Sequence, residues 1–148
     1  MSTYTEILYH VVFATKDRQG VLSDSGRDAL FRYITGVIKN NHCRLVWING
    51  VKDHVHILLS LHPSVALGAL LKDIKVASSV WIKENGIFPS FAGWQEGYGA
   101  FTHSLREEPE LIAYLKGQEE HHRTTTFLEE YRKLLLDAGI KIDERYFP

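Results

Sequence analysis

Residues 43–61 read CRLVWINGVKDHVHILLSL. Two runs of β-branched, aromatic and aliphatic residues, 43–51 and 54–61, meet at the short charged connection KDH. That pattern predicts two strands joined as a hairpin. Upstream, TYTEILYHVVFAT at 3–15 predicts a first strand, which KDRQG breaks. VLSDSGRDALFRYITGVIKNNH at 21–42 then predicts a helix, capped by Ser23 or Ser25, with Leu30, Phe31, Ile34, Val37 and Ile38 on one face. Downstream of the hairpin, Pro63-Ser64 opens a second helix. Its stripe is Leu67, Leu70, Leu71, Ile74 and Trp81, and Asn85-Gly86 end it. FAGWQEGYGAFTHS at 91–104 reads as a strand bent at Gly97 or Gly99. REEPELIAYLKGQEEHH at 106–122 reads as a third helix, with Pro109 and glutamates in its first turn, and TFLEEYRKLLLDAG at 126–139 as a fourth. The order β-α-β-β-α-β-α-α is a ferredoxin-like α+β arrangement, with an antiparallel sheet and helices packed on one face.

The chain has 148 residues, the length of one domain, and no linker, repeat or low-complexity run divides 1–148. No stretch approaches the roughly 18 apolar residues of a membrane span, and the N-terminus does not read as a secretory leader. With Cys43 as the sole cysteine no internal disulfide forms, and that side chain is expected to pack as a small apolar group. These features predict a cytoplasmic protein with no membrane partner. Net charge is −1, with 10 Lys+Arg against 7 Asp+Glu in residues 1–90 and 7 against 11 in 91–148. Such a balance excludes a broadly basic nucleic-acid binder, so a polyanion must meet a local patch.

Within the hairpin, His54 and His56 are two residues apart on a strand and project to the same side. Two neutral imidazoles placed together can bind one divalent metal or contact one phosphate, and they can equally be histidines on an open sheet face. A second informative stretch is YLKGQEEHH at 114–122. Tyr114 and Gln118 stand four apart and share a helix face, with His121 and His122 following on nearly the same side. Gly117 interrupts this helix at a penalty of about 1 kcal/mol relative to alanine, which points to close backbone approach or to neutral variation.

Together, a strand His-hydrophobe-His and, about sixty residues on, a helical Tyr-x-x-x-Gln resemble the HUH single-tyrosine transposases of small bacterial insertion sequences. The REP-associated tyrosine transposases share this pattern. YHVVFATKDRQGVL is similar to the family's opening strand and basic turn, WQEGYGAFTHS to its fourth strand and AYLKGQEEHH to its tyrosine helix. The segments occur in the family's order over nearly the whole chain. The resemblance implies an HUH fold that cuts and rejoins single-stranded DNA. It implies His54, His56 and Gln118 as ligands of Mg²⁺ or Mn²⁺, and Tyr114 as a nucleophile that forms a 5′-phosphotyrosine. It also implies hairpin DNA ends as partner and a homodimer, with the tyrosine helix docked on its own or its partner's site through the loop SLREEPE at 104–110.

Lys16 and Arg18 lie where the family carries basic residues, and Lys72 and Lys75 share a face of the second helix; these are the candidate DNA contacts. Trp94, Tyr98 and Phe101 can stack on bases or join the core. Three rivals stand beside this reading: a hydrolytic metal-dependent nuclease, a non-catalytic hairpin-DNA-binding protein derived from a transposase, and a small-molecule enzyme on the same fold. No G-x-x-x-x-G-K-[ST] loop is present, as expected of rejoining that needs no ATP.

Overall fold

The computed structural model describes residues 2–117, 120 and 125–148. Its elements run β1 (Leu8–Ala14), α1 (Asp24–Asn40), β2 (Arg44–Gly50), β3 (His54–Ser60), α2 (Leu67–Asn85), β4 (Gly99–His103), α3 (Glu108–Lys116) and α4 (Phe127–Asp137). The sheet order is β2-β3-β1-β4, and every neighbouring pair is antiparallel. The α+β ferredoxin-like arrangement is as the sequence predicts.

The central strands are buried on both sides, so both faces of the sheet need cover. Val11, Phe13, Val55, Ile57 and Leu59 turn toward α1 and α2, where they pack with Leu30, Ile34, Ile38, Leu71 and Ile74. On the other face, Leu8 and Leu58 enclose Leu115 of α3, while Val12, Ala14 and Phe101 pack with Phe127 and Tyr131 of α4. The expectation of helices on one face therefore holds for α1 and α2, and α3 and α4 lie opposite them.

One predicted element is shorter than the sequence suggests. Of residues 91–104, only 99–103 form a strand, with a single bridge from Trp94 to Thr15. Gly93 and Gly97 have φ of 126° and 80°, values that side chains resist, so the segment loops before β4 begins. The Lys75 ammonium holds that loop by donating to the carbonyls of Gln95, at 3.0 Å, and Gly97. Of the helix predicted over 106–122, residues 118, 119, 121 and 122 lie outside the described residues, and α3 covers Glu108–Lys116. Gly117 caps it, and a Cβ there would meet nothing nearer than 3.6 Å, so no close approach within the described residues demands this glycine.

Gly99 is different. A Cβ there would fall 2.7 Å from Cε1 of Tyr131 and 3.1 Å from Cγ1 of Val12. The missing side chain lets α4 settle on the sheet. Gly99→Ala is expected to cost about 1–3 kcal/mol of stability through this overpacking. Urea unfolding checks it; an unchanged midpoint would mean that Tyr131 is not seated on β4.

Candidate active site

Strand alternation places His54 and His56 on the α3/α4 face, where both are fully buried (0% exposed). Their rings are held from behind. Nδ1 of His54 lies 2.7 Å from Oδ1 of Asp53, and Nδ1 of His56 lies 2.7 Å from Nε2 of His10 on β1. His10 reaches diagonally across the ladder, in which Val12 is the residue opposite His56. Both Nε2 atoms then turn toward one carboxylate. Oε1 of Glu130, on α4, lies 2.8 Å from Nε2 of His56 and 4.0 Å from Nε2 of His54.

His54, His56 and Glu130 are all buried, and one ligand atom from each falls within 4.8 Å of the others. Two imidazole nitrogens and a carboxylate oxygen form a donor set that suits a divalent first-row metal or Mg²⁺. The outward-turned Nδ1 atoms carry the supporting contacts that such ligands need. By donor chemistry and convergence, these residues fit a divalent cation.

Tyr114 completes the group. Its ring stands edge-on to His56, with centroids 6.0 Å apart, and 6.2 Å from the ring of His10. Helix α3 is positioned for this by Leu115, buried against Leu8 and Leu58, and by Asn49 Nδ2, which donates to the Leu115 carbonyl at 2.9 Å. Lys116 covers the ring of Trp47 on β2. The connection SLREEPE is capped, since the backbone N–H of Ser104 donates to Oε1 of Glu107 at 2.9 Å. Tyr114 and the histidine pair thus meet within one chain. A cleft of about 420 Å³, lined in part by His10, His103, Leu111, Tyr114 and Glu130, opens beside them.

His10 remains neutral. Burial, and then electrostatic repulsion from the neighbouring His56 and His103, lower its pKa from 6.5 to about 3. Between those values the unfolded chain holds one proton more than the folded chain. This contribution to stability is therefore complete above pH 6.5 and is lost as pH falls toward 3, by up to about 1.4 kcal/mol per pH unit. Unfolding measured at pH 7.5 and pH 5 is expected to show a steeper acid loss for wild type than for His10→Gln; equal losses would contradict it.

Other predicted residues fall in different places. Gln118, His121 and His122 lie outside the described residues. Lys16 and Arg18 are exposed on the turn after β1, and that turn adjoins His54, because the Thr15 N–H donates to the Asp53 carbonyl at 2.9 Å. Lys72 is exposed on α2, across the sheet from the histidine pair. The Lys75 ammonium is held by two loop carbonyls, and burial lowers its pKa to about 8. Trp94 joins the core, edge-on to Phe13 and Phe91 with its indole N–H on Ser78, and Phe101 is buried. Cys43 is buried, as expected.

Sequence reasoning missed Glu130 and His10. Glu129 and Glu130 stand in the first turn of α4, where acidic residues are ordinary. The signal lay in register, since Phe127, Glu130, Tyr131 and Leu134 follow the i, i+3, i+4, i+7 spacing of a buried face.

The family model described as IS200-like transposase matches residues 3–118. The chain belongs to this family. Among curated relatives, the transposase is 25% identical over 118 residues to ISDra2 transposase TnpA of Deinococcus radiodurans, covering 76% of this chain and 84% of that protein. A crystal structure of a putative transposase from Deinococcus radiodurans is 26% identical, with a TM-score of 0.63 over 80% of this chain and 95% of the other. A REP-associated tyrosine transposase, solved bound to a REP hairpin, shares the fold at 14% identity, with a TM-score of 0.62 over 82% of this chain and 74% of its own. No described helix is long and apolar enough to cross a membrane.

Proposed function

We propose that this transposase cuts and rejoins single-stranded DNA by transesterification at Tyr114. The observation that carries the reading is the Tyr114 ring set edge-on to His56, 6.0 Å between centroids, beside two imidazoles that converge on one carboxylate. The tyrosine oxygen loses its proton and attacks phosphorus. The P–O3′ bond breaks, the 3′ oxygen takes up a proton and leaves, and the 5′ phosphate stays on Tyr114. A later attack by a 3′-hydroxyl reverses these bond changes and frees the tyrosine. One phosphate ester replaces another at each step, so rejoining needs no external energy source.

His54, His56 and Glu130 are the residues that would hold Mg²⁺ or Mn²⁺, with Gln118 as the amide ligand that the family resemblance adds. Such a cation polarises a phosphate and offsets the charge that builds on its oxygens. Glu130 supplies a negative charge that two imidazoles and an amide lack. Lys16 and Arg18, beside the His54 end of the site, would contact the phosphates of the entering strand. The relative solved with a REP hairpin supports hairpin-bearing single strands as the substrate class. The homodimer that the family resemblance adds would carry two such sites, with the Tyr114 ring beside the histidine pair.

Strand polarity tests the reading. A hairpin oligonucleotide is labelled at either end and incubated with protein and Mn²⁺. The 3′ label is expected to travel with the protein on a denaturing gel, and the 5′ label to appear on a free fragment. Cleavage that leaves both labels free would replace transesterification with hydrolysis.

A further inference from the structure

We propose that His10 is a positioning residue for this site, fixing the orientation and proton placement of His56 from behind. The inference rests on the metal reading of His54 and His56, and it adds a residue outside the proposed ligand set.

His10 is almost completely buried on β1, on a face whose other buried central-strand side chains, apart from the histidine pair, are Leu8, Val12, Ala14 and Leu58. An apolar side chain would pack there without desolvation, whereas a buried imidazole is unfavourable unless its polar atoms are bonded. Nε2 of His10 has such a bond, 2.7 Å from Nδ1 of His56, and the two rings stack with centroids 5.0 Å apart.

The contact has a direction once His56 serves as a ligand. Its Nε2 must then be bare, so its proton sits on Nδ1 and needs an acceptor. His54 meets the same requirement with the Asp53 carboxylate at 2.7 Å. His56 meets it with the uncharged Nε2 of His10, which anchors the ring without adding a second buried negative charge to that of Glu130. The same His10 ring lies 6.2 Å from that of Tyr114, nearly perpendicular to it, so one side chain borders both the ligand and the nucleophile.

Two variants separate the hydrogen bond from the packing. His10→Phe keeps a ring to stack on His56 but offers no acceptor, and His10→Gln places an amide oxygen near the Nε2 position. Mn²⁺ affinity is measured by titration with EPR detection of free ion, with melting temperature in EDTA to monitor folding and His54→Ala as a control. His10→Phe is expected to bind Mn²⁺ about 10- to 100-fold more weakly, as do losses of comparable supporting groups, and His10→Gln to come within about threefold of wild type. Wild-type affinity in His10→Phe, with His54→Ala impaired, overturns the role of His10 and leaves the metal reading intact. Equal weakening in both His10 variants overturns the acceptor role in favour of packing alone. Undiminished binding by His54→Ala overturns the metal reading and this proposal with it. Should the phenylalanine variant fail to fold, a tenfold loss in His10→Gln still overturns the proposal.

Discussion

Glu130→Gln is expected to lower Mn²⁺ affinity by at least about 100-fold, because removing a charged ligand should exceed the 10- to 100-fold losses typical of outer-shell groups. The substitution preserves volume and one acceptor oxygen while removing the charge. In EDTA the variant should melt no lower than wild type, since a buried carboxylate is itself unfavourable and an amide relieves that penalty. With Mn²⁺ at about 100 times the wild-type Kd, wild type should gain about 2.7 kcal/mol of stability and the variant almost none. Calorimetric titration and metal-dependent melting check both statements. Gln118→Ala provides the contrast. If it abolishes binding while Glu130→Gln does not, Glu130 covers the histidines without serving the ion.

Tyr114→Phe is expected to reduce covalent adduct and strand cleavage by about 10³-fold or more, in line with losses on deleting an essential nucleophile. The ring contacts with His56 and His10 need no hydroxyl, so the fold and the Mn²⁺ affinity should persist. Hairpin binding, read by fluorescence anisotropy, should stay within about twofold of wild type. A hydrolytic nuclease built on the same histidines would instead retain cleavage in this variant.

Much of this architecture was legible because local signals agreed. The hairpin at 43–61, the stripe of α1 and the Asn85-Gly86 stop of α2 each follow from a period or a terminus that the chain alone expresses. The loop at 91–98 was not legible. Its aromatic residues favour a strand, and the competing influence is the Lys75 ammonium, which reaches from α2 to the carbonyls of Gln95 and Gly97. The site divides in the same way. His54 and His56 were visible through their spacing, and Tyr114 through the resemblance of its helix to a known family. Glu130 depends on α4 folding back over the sheet, and His10 depends on the β1–β3 register, which no short motif encodes. Contacts made by distant segments are set by packing, and a motif search sees only the residue types.

The most direct measurement is mass mapping of the protein–DNA species. A hairpin oligonucleotide is reacted with the wild-type chain and Mn²⁺, the DNA is trimmed with nuclease, and the protein is digested with trypsin. Cleavage after Arg106 and Lys116 releases residues 107–116, EEPELIAYLK, in which Tyr114 is the single tyrosine. The account predicts a nucleotide phosphate mass on that peptide and on none containing the other six tyrosines. Cut DNA with every tyrosine peptide unmodified, or a phosphotyrosine elsewhere in the chain, would contradict it.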